Sequence, residues 1–170
     1  MKVSIPLENG YLPDRHGKYA PADLMVDQHP CVSFPIEISE VPPEAQSLAI
    51  AFVDYDAIPV GGFCWIHWLA CNITPETTLI PDNASALESI PMVQGTNSDW
   101  SPLAGAHTNP AIIQRYAGPF PPDQDHEYTL EVYALDTKLD LEEGYYLNEF
   151  RKAIRGHVIE KVELDFMSRS

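Results

Sequence analysis

Three short segments set titratable side chains at the ends of apolar runs. Asp54-Tyr55-Asp56-Ala57-Ile58-Pro59 closes one such run, and Trp65-Ile66-His67-Trp68 lies inside another. Gly118-Pro119-Phe120-Pro121-Pro122 leads into the third, His126-Glu127-Tyr128. Asp54, Asp56, His67 and His126 are residue types that act as general acid and base, or that hold a divalent metal in a carboxylate–histidine site. Asp54 shares the parity of Leu48, Ile50 and Phe52, so its carboxylate faces the same interior and needs a partner there. Each segment also has a plainer reading. Asp54 and Asp56 suit a turn, His67 a hydrogen-bonded core position, and the Gly-Pro-Phe-Pro-Pro run a rigid corner.

The elements that must position these groups read as β-structure. Ser47 to Asp54 (SLAIAFVD) is nearly all apolar and predicts a buried strand. Cys64 to Ile73 (CWIHWLACNI) is apolar on both faces, which suits a central strand with Trp65 and His67 on one side. In His126 to Asp136, the side chains of His126, Tyr128, Leu130, Val132 and Ala134 share a face. Ser85 to Ala117, rich in Asn, Pro and Gly, reads as an extended surface loop with little regular structure. Near the C-terminus, Leu147, Phe150 and Ile154 recur at helical spacing within Tyr145 to Arg155, and Gly156 follows where a left-handed cap is wanted. His157 to Leu164 fits either a final strand or a further helical turn.

Composition narrows the function classes. The 170 residues include 10 Lys plus Arg against 25 Asp plus Glu, a formal net charge of -15. That excess speaks against nucleic acid, whose binding draws on Lys and Arg neutralising phosphates, and against docking on an anionic membrane. No run approaches the ~20 apolar residues of a membrane span. The beginning of the chain shows no apolar stretch of signal-peptide type. Sixteen prolines disfavour a helical bundle, because an interior proline removes a helix hydrogen bond. Cys31, Cys64 and Cys71 lack CxxC spacing and read as reduced thiols of a cytoplasmic protein. GxSxG, HExxH, P-loop and GxGxxG motifs are absent.

Together the three segments resemble the phosphatidylethanolamine-binding protein (PEBP) family, also called Raf kinase inhibitor protein-like, in its compact prokaryotic branch. The family's Asp-Pro-Asp-Ala-Pro turn followed by Trp-x-His is similar to Asp54 to Pro59 and Trp65-Ile66-His67. Its Gly-x-x-Pro-Pro then His-x-Tyr signature resembles Gly118 to Pro122 and His126-Glu127-Tyr128. Flanking stretches, Ser33 to Ile36, Gln94 to Ser98 and Ile154 to Val158, agree as well. Tyr55 replaces the turn's first proline, Ile58 is inserted before Pro59, and Glu127 stands where the family commonly has Arg.

The resemblance implies a mainly β (α+β) fold over residues 1–170, one PEBP-like domain with a large antiparallel sheet packed on a smaller one and short C-terminal helices. It also implies a small pocket for phosphate-like anions lined by Asp54, Asp56, Trp65, His67, Gly118, His126 and Tyr128. An aspartate there accepts from one imidazole, fixing its tautomer and favouring the protonated form. Ring N–H groups, the Tyr128 hydroxyl and backbone N–H near Gly118 then serve as donors to an anion, with no Lys or Arg. The leading expectation is a cytoplasmic, regulatory binding protein with no metal or cofactor. The alternatives are a hydrolase or metal-dependent enzyme using the Asp/His cluster, and an inhibitor of a kinase or protease acting through the Ser85 to Ala117 segment. A protein partner and a homodimer both stay open.

Overall fold

Strands form where apolar residues run without interruption. Ser47–Asp54 (β5) is buried over all eight residues and pairs antiparallel with Trp65–Ile73 (β6) on one side and His126–Leu135 (β9) on the other. Val158–Ser168 (β10) joins β9 as an edge strand, and Val93–Gln94 (β8) joins β6, giving the order β10-β9-β5-β6-β8. The C-terminal pattern that fitted two elements is therefore a strand. The computed structural model describes the backbone of residues 1–170 and every side chain except that of Ala104.

Lys2–Ser4 (β1), Ile36–Ser39 (β4) and Leu79–Ile80 (β7) make a smaller sheet, and Met25–Val26 (β2) pairs with His29–Pro30 (β3). The large sheet buries both of its faces. Leu48, Ile50 and Phe52 point into a core shared with Ile36, Ile38 and Ile80 of the small sheet. Ala49, Ala51 and Leu69 point the other way, toward Tyr145 and Phe150. Phe150 belongs to the helix Leu147–Ala153 (α4), where Glu149 accepts from the Tyr146 N–H at 2.8 Å and Gly156 follows at φ 79°. Among the described residues, no helix is long and apolar enough to cross a membrane.

Two irregularities in β6 decide which residues face which core. Leu48 pairs with Ile73 but Ile50 with Ala70, so β6 carries one extra residue there. Asn72 takes it up at φ 59°, and its side-chain amide both donates to and accepts from the backbone of Leu139. Phe52 then pairs with Trp68 but Val53 with Ile66, which leaves His67 as a second bulged residue. A bulge shifts the alternation by one, so His67 and Trp68 face the same side although they are neighbours.

The Ser85 to Ala117 segment is largely irregular, as its composition predicts, with short helices at Ala84–Leu87 (α2) and Pro110–Ile113 (α3). It does not run wholly over the surface. Gln94 to Asp99 is buried, and buried backbone needs hydrogen-bond partners that side chains here provide. Gln94 accepts from the Trp68 indole at 2.9 Å and from the Ser85 hydroxyl at 2.6 Å. Asn97 donates to the carbonyls of Ile112 (2.6 Å) and Arg115 (2.9 Å) and accepts from the Asp99 N–H (3.0 Å). Asn97→Ala would strand those groups without water, and we expect it to cost about 2–4 kcal/mol in urea unfolding. A loss below about 0.5 kcal/mol would show that Asn97 does not pin this segment.

Candidate functional site

The three central strands end side by side. Asp54 closes β5 and lies opposite Trp65, where β6 begins, and opposite Tyr128, near the start of β9. Beyond these ends the sheet borders a cavity of about 370 Å³. Its walls are mostly apolar, with Pro30, Val60, Ala117, Phe120, Pro121 and Pro122 around the polar groups of Asp54, His67, His126 and Tyr128.

Asp54 is 3% exposed and uses both carboxylate oxygens. One accepts from the Nδ1–H of His126 at 2.8 Å. The other accepts from the Ala57 N–H at 2.9 Å, where the short helix Ala57–Gly61 (α1) begins. The turn reading and the paired-carboxylate reading of Asp54 are therefore both satisfied by one side chain. His126 Nε2 faces the Asp123 carboxylate at 2.9 Å. An ionised carboxylate only accepts, so a ring bonded to two of them carries both protons. Burial pulls the His126 pKa down, but the hydrogen bonds and charges of Asp54 and Asp123 outweigh it and hold it above the ordinary histidine value.

His67 behaves in the opposite way. Its Nδ1 lies 2.8 Å from the Ala117 carbonyl, which fixes the proton on Nδ1 and leaves a lone pair on Nε2. Burial lowers its pKa, against the upward pull of the Ala117 carbonyl, Asp54 and Asp99. Nε2 is buried and has no hydrogen-bond partner in the protein, and the Tyr128 hydroxyl makes no hydrogen bond of normal geometry, although the Asp54 carboxylate and the Phe120 backbone lie near it. Burial raises the pKa of that hydroxyl and the Asp54 charge adds to the effect, so Tyr128 keeps its proton.

Six of the seven residues singled out in the sequence line this cavity: Asp54, Trp65, His67, Gly118, His126 and Tyr128. Asp56 does not. It lies beyond the end of β5, and its carboxylate accepts from the Glu127 N–H at 2.9 Å on the surface, tying α1 to β9. The backbone at Gly118 also differs from expectation. Gly118 N–H donates to the Pro30 carbonyl (2.7 Å) and Ala117 N–H to the His67 carbonyl (2.9 Å), so neither is a free donor. Glycine is required at 118 by closeness, since a Cβ would sit 2.4 Å from the His16 carbonyl oxygen.

Asp99 and His29 also line the cavity, with His29 Nδ1 3.3 Å from the Asp99 carboxylate and the His107 ring packed edge-on at 4.5 Å. Their spacing along the chain carries no signal that could join them. Asp123 had one, since it stands three residues before His126. Among the described residues, no three His, Cys, Asp or Glu side chains converge as a metal site would need.

Comparison with known proteins agrees with this architecture. The family model for phosphatidylethanolamine-binding protein matches residues 4–169. The Bacillus subtilis protein YxkA is 45% identical over 161 residues, covering 95% of each chain. A UPF0098 protein of Methanothermobacter thermautotrophicus is 36% identical over 135 residues, 78% of this chain and 80% of its own. Among solved structures, the putative PEBP homolog CT736 of Chlamydia trachomatis superposes with a TM-score of 0.72 at 28% identity, covering 98% and 91% of the two chains. E. coli YbcL, described as a member of the mammalian PEBP family, gives 0.76 over 99% and 98%, and at 22% identity that likeness is one of fold. A large antiparallel sheet over a smaller one, the ordered motifs along nearly the whole chain and these relatives agree: the chain belongs to the phosphatidylethanolamine-binding protein family.

Proposed function

We propose that this chain is a binding protein whose cavity holds a small anionic group, a phosphate or a phosphorylated headgroup, in a regulatory role. The observation that supports it is a pair of buried polar atoms without a hydrogen bond of normal geometry, His67 Nε2 and the Tyr128 hydroxyl, on residues that line a mostly apolar cavity. Leaving such atoms unsatisfied costs free energy that a polar ligand recovers. The Tyr128 O–H donates to an oxyanion. His67 Nε2 either accepts from a protonated phosphate or takes up a proton and donates. The likeness to a family named for binding a phospholipid fits the same chemistry.

Binding is favoured over turnover by the state of His126. Both of its nitrogens are held by carboxylates, so it has no free site with which to receive a substrate proton. We place the protein in the cytoplasm, in line with its free cysteines.

Anion binding favours the protonated form of His67, whose pKa in the empty cavity is held below the ordinary value. The sign follows: the bound-state pKa is higher than the free one, so affinity rises as pH falls from 8 toward 6 and binding takes up protons. Calorimetry with sulfate, which does not titrate in this range, in buffers of different ionisation enthalpy measures both quantities. A flat profile without proton uptake would contradict the reading. Tyr128→Phe separates binding from structure. Removing an unsatisfied hydroxyl leaves stability unchanged or raises it by up to about 1 kcal/mol, whereas losing its hydrogen bond to the anion weakens sulfate or phosphate at least about tenfold. Unchanged affinity in a stable Tyr128→Phe protein would remove Tyr128 from the site.

A further inference from the structure

The opposite face of the large sheet carries a second hollow, of about 610 Å³, between the C-terminal end of α4 and the strands β5, β9 and β10. Alternation along the strands places it back to back with the first cavity. Val53 and Tyr55 line the hollow while Asp54 between them lines the cavity, and Cys64 and Trp65 divide in the same way. Its apolar floor comes from Val53, Leu147, Ile154 and Val158, and the rings of Tyr55 and Tyr133 also line it.

The five arginines of the chain divide into two groups. Arg15 pairs with Asp82, Arg115 bridges Glu88 and Glu143, and Arg169 meets Asp14. The other two arginines of the chain, Arg151 and Arg155, have no acidic partner among the described residues, and both line the hollow. Lys18, Lys138 and Lys152 also lack an acidic partner among the described residues, but of the five arginines only these two do, and both lie at one hollow. Lys161, by contrast, is engaged. It bonds Glu131 at 3.0 Å and also Glu163, and the Tyr133 hydroxyl donates to Glu131 at 2.7 Å. The hollow thus has one end whose carboxylates are satisfied internally and one end with two open guanidinium groups.

We propose that this hollow is a second binding site, for a small molecule that joins an oxyanion, carboxylate or phosphate monoester, to a flat apolar body. Arg151 and Arg155 present planar donor forks that match an oxyanion's geometry. The floor and the Tyr55 ring receive the apolar body. The volume suits a ligand of metabolite size. Glu131 and Glu163 repel the anion from the Lys161 end and so set the ligand's direction. This site does not depend on the anion reading of the first cavity, because the two share no lining residue.

The test uses phenylacetate and phenyl phosphate as probes, which present the two oxyanions on one body, with inorganic phosphate and benzyl alcohol as the separate parts. Titration followed by NMR is read at the backbone amides of Leu147, Ile154 and Val158, which line the hollow and adjoin no residue of the first cavity. We expect one or both aromatic anions to shift these amides, and each part alone to bind at least about tenfold more weakly. Affinity in this hollow should fall at least about tenfold in the Arg151→Gln/Arg155→Gln double variant and with rising salt, yet persist in His67→Ala. The two arginines hold no other side chain, so the double variant should melt within a few degrees of wild type. If it does not fold, the wild-type shifts alone decide the matter. Shifts confined to Asp54, Trp65 and His126, equal affinity in a folded double variant, or no binding of either aromatic anion would overturn the proposal.

Discussion

A carboxylate that is 3% exposed must be neutralised and hydrogen-bonded, and the site end of the fold is arranged around that requirement at Asp54. One oxygen fixes His126 of β9, and the other fixes the first turn of α1. The imidazolium produced by that pairing is balanced on its far side by Asp123, which anchors the loop before β9. Two strands, a helix and a loop are thereby held by one side chain and its partner. Removing either partner leaves a buried charge alone, which is far more costly than the pair is stabilising.

The second constraint is the bulge at His67, the second of the two irregularities in β6. Without it, His67 would lie on the face occupied by Ile66 and Leu69, against α4. With it, the ring turns to the other side and packs 5.3 Å from Phe52 and 5.1 Å from Tyr128. The bulged backbone is secured from outside the sheet. The Ala117 N–H donates to the His67 carbonyl and the Ala117 carbonyl accepts from the His67 ring. That double contact draws the chain at Ala117 and Gly118 down over the strand ends, where the close approach to His16 and Pro30 admits only glycine at 118. The cavity wall formed by Phe120, Pro121 and Pro122 follows from this placement.

How much of this was legible depended on whether the signal was local. The run SLAIAFVD could hardly be anything but a strand buried on both faces, and β5 occupies those residues. The parity of Tyr128 survived because β9 keeps its register with β5 from Tyr128 to Leu135, and that of His126 because the strand continues regularly against β10. Leu147, Phe150 and Ile154 marked α4 through their spacing, and Gly156 marked its end. Asp56 entered the expected pocket through the family resemblance alone, and here α1 begins directly after it and its carboxylate is taken by the Glu127 N–H. The bulges were not legible, since a two-residue period cannot announce where it slips. The hydrogen bonds that occupy Ala117 and Gly118 N–H are long-range and leave no local mark, and the same holds for His29 with Asp99. Buried Gln94 and Asn97 looked like loop residues because their composition is polar. Their burial makes sense only once the backbone groups they satisfy are known.

If the two proposed sites take anions, an acidic protein does so against its own field, and the two hollows would be two physical answers to that problem. In the cavity the donors are neutral or one proton away from charge, and they are buried beneath apolar walls where screening is weak. At ~0.15 M salt the Debye length is about 8 Å, so the distant surface carboxylates contribute little there, and the nearby Asp54 and Asp99 are each matched with a histidine. In the hollow beneath α4 the donors are permanent charges in contact with water. Their attraction is stronger at long range and more easily screened. As proposed, occupancy of the first would answer to pH and occupancy of the second to ionic strength.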